Sequence, residues 1–200
     1  ETTVPPKTTE TLIKNILEEN SGMLAGEDFY LAYSPERIMT GYSISRYKEY
    51  PKVVGGINEV STQKAYELYS KFCSKISQVK DTKTAEFIKV AEGVYRDVNI
   101  ALANELYRIS QEIGLDFWEI KEKTRHSFCD IHEAGIGVGG HCIPVYPWFL
   151  INNYEVPLIK KARKVNDSMV DYCVQKVKER NAQKVLLIGL AYRERVKDAA

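Results

Sequence analysis

The chain has 200 residues, 44% of them hydrophobic and 28% charged, with a formal net charge of +1. This globular composition, without a dominant charge, does not favour a nucleic-acid-binding or membrane-surface protein. No apolar run approaches the ~20 residues of a membrane-spanning helix, and the first residues lack the basic and apolar regions of a signal peptide. The four cysteines match neither a disulfide framework nor a zinc pattern, so we expect free thiols, a cytoplasmic location and no bound metal.

The first 80 residues alternate predicted strands and helices, the pattern of a parallel, Rossmann-like α/β sheet. Strands are expected at 4–6, 29–33, 52–56 and 76–79, and helices at 9–20 and from 61 or 62 to 72. The 29–33 segment is continuously apolar, which is typical of a strand buried on both faces. Residues 1–80 contain no G-x-G-x-x-G motif, so the first half of such a dinucleotide-binding domain would lie outside this chain.

One long helix is expected from residue 82 to 113, because this stretch has no proline and has a helical apolar pattern. Its apolar residues cover so much of its circumference that several neighbours must bury them, and we therefore expect it to form part of a homodimer interface. Gly114 would end this helix, and Asp116 would cap a short one at 117–123. The remaining expected elements are a helix at 158–180 and a strand at 184–192.

Residues 135–142, with the sequence GIGVGGHC, contain four glycines in six residues, followed by His141 and Cys142. Glycines let the backbone lie close to a ligand, and successive N–H groups can form a concave site for an anion. Beside these dipoles and His141, Cys142 would be favoured as the nucleophilic thiolate. The alternatives are a flexible turn with a buried structural cysteine, and a zinc site with nearby histidines, whose spacing matches no standard pattern.

Six motifs, in this order along the chain, are similar to those of one enzyme family. They are Thr3-Val4-Pro5-Pro6, Ser34-Pro35-Glu36-Arg37, Thr84-Ala85-Glu86 with Lys89, Asn104-Glu105, Gly137-Val138-Gly139-Gly140-His141-Cys142 and Gly189-Leu190-Ala191-Tyr192. Together they resemble the nucleotide-sugar 6-dehydrogenases of the UDP-glucose/GDP-mannose dehydrogenase family, which oxidise a sugar C6 alcohol to a carboxylate. His141 and the segment 96–99 resemble the branch that acts on UDP-N-acetyl-D-mannosamine, with UDP-glucose and GDP-mannose as alternative substrates.

The resemblance implies a domain organisation in which this chain is an internal fragment. Residues 1–81 would be the C-terminal part of an NAD-binding Rossmann domain, and residues 82–181 a central helical dimerisation domain. Residues 182–200 would supply the first strand of a C-terminal, UDP-binding Rossmann-like domain.

The resemblance also implies a mechanism and its catalytic residues. Oxidation of an alcohol to an acid removes two hydrides, so two NAD⁺ would be used in turn. Cys142 would trap the intermediate aldehyde as a thiohemiacetal, which is oxidised to a thioester and hydrolysed. Lys89 would steady the developing oxyanion, and Glu36 would position or activate the hydrolytic water. Without the resemblance, a solvated helix lysine is the preferred interpretation of Lys89, and an exposed turn residue explains Glu36 equally well.

Other family positions imply contacts to the substrate and the cofactor. By resemblance the sugar nucleotide would be bound by Arg37, Ile38, Lys89, Arg96, His126 and Gly137, and the cofactor by Thr3. Arg96 lies two helical turns after Lys89, so one helix would present both cations to an anionic ligand. The ordinary alternative for Arg96 is a surface ion pair.

Three positions depart from the family pattern. Gly93 replaces a frequent asparagine, Tyr146 replaces the usual aspartate, and Phe128 stands where some relatives have arginine. These changes bear on the exact substrate more than on the reaction type. Two other functions stay open: a dimerising scaffold without catalysis, and a cysteine hydrolase using Cys142 with His141, although adjacent residues rarely face each other as such a pair requires.

Overall fold

The structure, a computed structural model, describes residues 1–38, 50–189 and 191. The chain divides into two compact units, Glu1–Glu92 and Gly93–Ala200, and the boundary lies within its longest helix. The domain limits at 81/82 and 181/182 stay predictions.

The first unit contains a small sheet and the helices around it. A π-helical turn at Thr9–Ile13 continues into α1 (Lys14–Ser21), and α2 spans Glu59–Tyr69. The strands are β1 (Ala32–Tyr33), β2 (Lys52–Gly56) and β3 (Ile76–Gln78), hydrogen-bonded in the order β1-β2-β3.

The sheet is mixed, which corrects the expectation of a purely parallel one. β1 runs antiparallel to β2, with Ala32 opposite Gly56, whereas β2 and β3 are parallel. Of the predicted strand at 29–33 only the last two residues are in β1. No strand forms at 4–6, where two prolines lack the N–H that a ladder needs. An apolar run predicts burial, but strand direction depends on distant partners.

The start of α2 also differs from the expectation. Asn58, rather than Ser61 or Thr62, is the N-cap, and its side-chain oxygen accepts the Ser61 N–H at 2.8 Å. The Thr62 hydroxyl instead accepts the N–H of Gly56 at 2.8 Å, which ties the helix to the end of β2.

The second unit is helical, and three of its four helices lie where they were predicted, while no helix was predicted at 146–151. α3 spans Thr82–Glu112 and enters this unit from the first, α4 spans Phe117–Lys123, α5 spans Tyr146–Ile151 and α6 spans Pro157–Glu179. Gly114 has φ of 75° and follows the end of α3, and the Leu115 N–H reaches back to the Ser110 carbonyl at 2.8 Å. Asp116 caps α4 by accepting the Trp118 N–H at 2.8 Å.

The predicted strand at 184–192 is not confirmed in the residues that can be described. Residues 184–189 have no regular secondary structure and are exposed. A strand requires a hydrogen-bonded neighbour, and no strand of the described ranges pairs with this segment.

Candidate functional site

The predicted site residues are divided between the two units. Those in the first unit are Thr3, Glu36, Arg37, Ile38 and Lys89, and those in the second are Arg96, His126, Gly137 and Cys142. The expected catalytic set therefore draws on both units, and its assembly stays a prediction.

Glu36 follows β1 in a segment without regular structure, yet its carboxylate has a defined orientation. One of its oxygens accepts the Ile38 N–H at 2.6 Å. Two residues earlier, the Ser34 hydroxyl donates to the Val53 carbonyl at 2.6 Å and ties the segment to β2. Glu36 and Ile38 are both half-buried, so Glu36 is not the exposed turn residue of the simpler interpretation.

The Arg37 guanidinium is anchored beside the first part of α3. Its Nη1 donates to the Pro51 carbonyl at 2.7 Å, and its Nη2 pairs with the Glu92 carboxylate at 2.5 Å. Its buried Nε has no hydrogen-bond partner among the described residues. A guanidinium held in this way suits an additional anionic acceptor such as a phosphate oxygen.

Lys89 and Arg96 lie two turns apart on α3 in different surroundings. Lys89 is half-buried and follows a stretch that packs into the first unit, whereas Arg96 is exposed. The partial burial of Lys89 argues against an ordinary solvated helix lysine.

Glu86 is a buried carboxylate to which the sequence assigned no role. It is fully buried, and its two oxygens accept the backbone N–H groups of Lys7 at 2.6 Å and Thr9 at 2.7 Å. It thereby caps the first helix and holds the N-terminal segment that carries half-buried Thr3. Burial raises the pKa of the Glu86 carboxyl above its ordinary value of 4.5, and the hydrogen bonds from Thr9 and Lys7 oppose this shift.

The glycine loop, residues 135–142, has no helix or strand and ends in an exposed Cys142. Of its four glycines only Gly140 has positive φ, at 85°. The Cys142 carbonyl accepts the N–H groups of Val145 and Tyr146 at 3.1 and 3.0 Å, which joins the cysteine to the start of α5. The thiol is thus not the buried structural cysteine of the alternative interpretation.

A buried polar network connects α3 to α6 behind this loop. Asp97 accepts a hydrogen bond from Arg163 at 2.5 Å, and Asn166 donates to the Asp97 carboxylate and carbonyl at 2.9 Å each. Asn166 in turn accepts from the Asn104 amide at 2.9 Å. Burial raises the pKa of the Asp97 carboxyl, and the Arg163 guanidinium opposes this shift. The last member, Asn104, accepts the Gly135 N–H at 2.9 Å, so this N–H is not available for an anion.

Two of the positions that depart from the family pattern lie in contact. A Cβ added to Gly93 would lie 2.2 Å from Cδ2 of the Tyr146 ring. Both residues are buried, so the ring occupies the space that any side chain at position 93 would need.

His126 and Phe128 lie in a short turn after α4. The His126 Nδ1 accepts the Phe128 N–H at 3.1 Å, and the His126 and Cys129 backbones exchange hydrogen bonds at 2.9 and 3.0 Å. The Phe128 ring is 94% exposed. Gly137 is half-buried, and a Cβ there would make ordinary contacts of 3.8 Å to the Asn166 carbonyl and 3.9 Å to Val170.

The described ranges contain no group of three or more histidine, cysteine, aspartate or glutamate residues placed to bind a metal ion. Within the same ranges, no helix combines the length and the apolarity that crossing a membrane requires.

Comparison with known protein families gives two adjacent matches. Residues 1–73 match the NAD binding domain, and residues 83–168 the central domain, of the UDP-glucose/GDP-mannose dehydrogenase family. The chain belongs to this family. The resemblance inferred from the motifs is therefore confirmed, as is the order of an NAD-binding α/β domain followed by a helical central domain.

Individual members of the family support the same relationship. A UDP-N-acetyl-D-mannosamine dehydrogenase of Methanocaldococcus jannaschii is 38% identical over 203 residues, covering 99% of this chain and 46% of the relative. The solved UDP-D-ManNAc dehydrogenase of Pyrococcus horikoshii has a TM-score of 0.88 at 35% identity, covering 98% of this chain and 50% of that one. A UDP-N-acetyl-mannosamine dehydrogenase of Staphylococcus aureus has a TM-score of 0.86 at 34% identity, with coverages of 98% and 49%. The chain spans about half the length of these relatives.

For this member of the dehydrogenase family, the structure gives a role to residues to which the sequence assigned none. They are Glu86, Asp97, Asn104, Arg163 and Asn166, all buried polar side chains. Three of them lie on α3 among apolar residues, and a polar residue on an apolar helix face is a signal that sequence inspection can use. Most of the partners of these residues, however, lie 31 to 79 positions away in the chain.

Proposed function

We propose that the protein containing this chain oxidises the C6 alcohol of UDP-N-acetyl-D-mannosamine to the carboxylate, using NAD as the hydride acceptor. Membership of the dehydrogenase family and the substrate for which the relatives are named support this assignment. The observation that carries it is the exposed Cys142 at the end of a glycine loop whose first residue is bound to a buried network.

Cys142 is the residue that would attack the intermediate aldehyde. Its sulfur would bond to the aldehyde carbon and retain the substrate as a thiohemiacetal until the second oxidation yields a thioester. Hydrolysis of the thioester would then release the acid and the free thiol. The exposure of Cys142 supports this role, because a nucleophile must be reachable by a substrate as large as a sugar nucleotide.

Lys89 would assist when the oxyanion forms, and Glu36 would assist when water hydrolyses the thioester. The Lys89 ammonium would stabilise the oxyanion that forms when sulfur or water adds to the carbonyl carbon. The Glu36 carboxylate, oriented by the Ile38 N–H, would position the hydrolytic water and accept its proton. Arg37, Ile38, Arg96, His126 and Gly137 would bind the sugar nucleotide, with the guanidinium groups on the diphosphate.

NAD would be held only in part by this chain. Bound NAD supplies the hydride acceptor for both oxidation steps. Thr3 is the one cofactor contact we propose here, on the N-terminal segment that Glu86 holds in place. Residues 1–80 contain no G-x-G-x-x-G turn to bind the pyrophosphate, because the string of this form at 135–140 lies in the glycine loop before Cys142. This α/β segment therefore does not by itself make a complete cofactor site.

Homodimerisation through α3 is part of the same proposal. Tyr95, Leu102 and Ile109 follow one another at intervals of seven residues and are 64%, 51% and 53% exposed. Apolar residues with this spacing form a continuous stripe, the pattern that packs against another helix.

The experiment is a product assay on the complete protein with UDP-N-acetyl-D-mannosamine, UDP-glucose and GDP-mannose. We expect two NADH per acid formed from the mannosamine sugar, and no acid from the Cys142→Ser variant. Cys129→Ser, which changes a half-buried cysteine outside the glycine loop, is the control and should retain activity. Undiminished acid formation by Cys142→Ser would refute the thioester route.

The alternative is a family member that has lost catalysis and retains the dimerisation scaffold. The observation favouring it is the Gly93–Tyr146 pair, which replaces two polar residues of the family pattern. Absence of NADH formation with all three sugar nucleotides, in a protein that binds NAD, would favour this alternative.

A further inference from the structure

The segment 135–146, which contains the glycine loop and the first residue of α5, is attached to α3 at both of its ends. At the first end, the Asn104 side-chain oxygen accepts the Gly135 N–H at 2.9 Å. At the second end, the Tyr146 ring is packed against Gly93, with no room for even a methyl group at that helix position. Both attachments lie within the second compact unit.

The two attachment points lie on one face of the helix. Gly93 and Asn104 are eleven residues apart, which at about 100° per residue is three full turns and about 20°. At about 1.5 Å per residue they are about 16 Å apart along the axis. The connecting segment 135–146 could extend to about 36 Å. Because the segment could span more than twice the distance between its attachment points, its length does not fix its path. The contacts at its two ends must therefore fix it.

The first attachment is rigid because Asn104 has one orientation available. Its amide nitrogen donates to Asn166, which donates to Asp97, and Arg163 donates to the same carboxylate. All four residues are at most 5% exposed. Rotation of Asn104 would break a buried hydrogen bond, so its oxygen stays directed at Gly135.

The second attachment lies close to Cys142 and is hydrogen-bonded to it. The Tyr146 N–H donates to the Cys142 carbonyl at 3.0 Å. Tyr146, whose ring packs against Gly93, is therefore one turn from the nucleophile. The replacements at 93 and 146 are sterically complementary: the larger ring at 146 fits because position 93 carries no side chain.

We propose that Gly93 and Asn104 are positioning residues that set the place of the Cys142 sulfur through these two attachments. This inference rests on the proposed function only in taking Cys142 as the nucleophile. Neither residue needs to touch the substrate. A loop released from α3 would still bind the sugar nucleotide but would present the sulfur in the reactive geometry less often.

The test uses the complete protein and the variants Gly93→Ala, Asn104→Leu and, as the exposed control on the same helix, Glu105→Ala. Two quantities are measured: amide hydrogen exchange of residues 135–142, and kcat and KM for UDP-N-acetyl-D-mannosamine. For both loop variants we expect exchange at least about tenfold faster and kcat lower by a similar factor, with KM within about twofold. The Glu105→Ala control should match the native protein in both.

A second variant distinguishes loop positioning from general damage. Gly93→Ala in a Tyr146→Ala background removes the steric conflict, so the alanine at 93 should then cause no further loss of kcat and no faster exchange. An equal loss in both backgrounds would overturn the inference, as would faster loop exchange with unchanged kcat. If the native protein oxidises none of the sugar nucleotides, the proposed function fails while the exchange data still decide whether the loop is attached in this way.

Discussion

Replacing Glu86 tests which physical effect dominates at a buried carboxylate. In Glu86→Ala, the buried Thr9 N–H loses its acceptor, which lowers the free energy of unfolding by about 1–3 kcal/mol. Loss of the part-buried bond from the Lys7 N–H costs only about 1 kcal/mol, because water can partly replace it. We therefore expect Glu86→Ala to lower the free energy of unfolding by about 2–4 kcal/mol. Glu105→Ala, at an exposed site of the same helix, should change it by less than about 0.5 kcal/mol.

Glu86→Gln should behave differently, because burial raises the pKa of this carboxyl above 4.5. The folded state then holds the Glu86 proton more tightly than the unfolded state does. The stability contributed by the protonated form is present below pH 4.5 and is lost as pH rises through the folded-state pKa. Glutamine does not ionise, so Glu86→Gln should gain stability relative to the native protein as the pH rises through this window. Its amide nitrogen cannot accept one of the two backbone N–H groups, which adds a loss that does not depend on pH.

Urea unfolding between pH 4 and pH 8 measures both variants, with amide exchange at Thr9 as a local readout. The reasoning would be refuted if Glu86→Gln lost stability relative to the native protein as the pH rose. That result would mean that the two backbone hydrogen bonds to the ionised carboxylate outweigh the cost of its burial.

Three further substitutions test separate parts of the structure. Asn58→Ala removes the cap of α2 and should cost about 1 kcal/mol in urea unfolding, whereas Asn58→Asp, which keeps the acceptor, should cost less. Arg163→Ala leaves the buried Asp97 carboxylate without its cation and should lower the free energy of unfolding by about 3–5 kcal/mol. Adding Asp97→Asn should recover part of this loss. Strictly additive effects of the two substitutions would contradict the pairing. Leu102→Glu places a charge on the exposed stripe of α3 and should convert a dimer into a monomer by light scattering, while an unchanged mass would place the interface elsewhere.

Local chemistry explains why several elements were predictable. The long helix was expected at 82–113 and spans Thr82–Glu112, because its apolar period and the glycine that follows lie within the segment itself. The strand at 52–56 was predicted to the residue, and Asp116 caps α4 as expected. For the two helices the deciding interactions join residues at most five positions apart or repeat along one element. For the strand, the β-branched Val53 and Val54 give the local preference.

The errors lie where the outcome depends on distant residues. The antiparallel pairing of β1 arises from its contact with β2, about twenty positions later, and no pattern within 29–33 encodes it. The α2 cap shifted to Asn58 because Thr62 is occupied by the Gly56 N–H. Strand pairing and side-chain competition of this kind are decided only when the chain has folded.

The sequence by itself determined the family and the nucleophile candidate, because GIGVGGHC and its companion motifs are contiguous strings whose residue types are visible without a fold. It also marked Gly93 and Tyr146 as unusual, but as two unrelated departures. Only the tertiary structure made them one contact, and only it gave Asn104 a partner in Gly135. The physical reason is that close packing and buried hydrogen bonds join residues far apart in the chain, whereas a sequence pattern reports mainly the preferences of each segment.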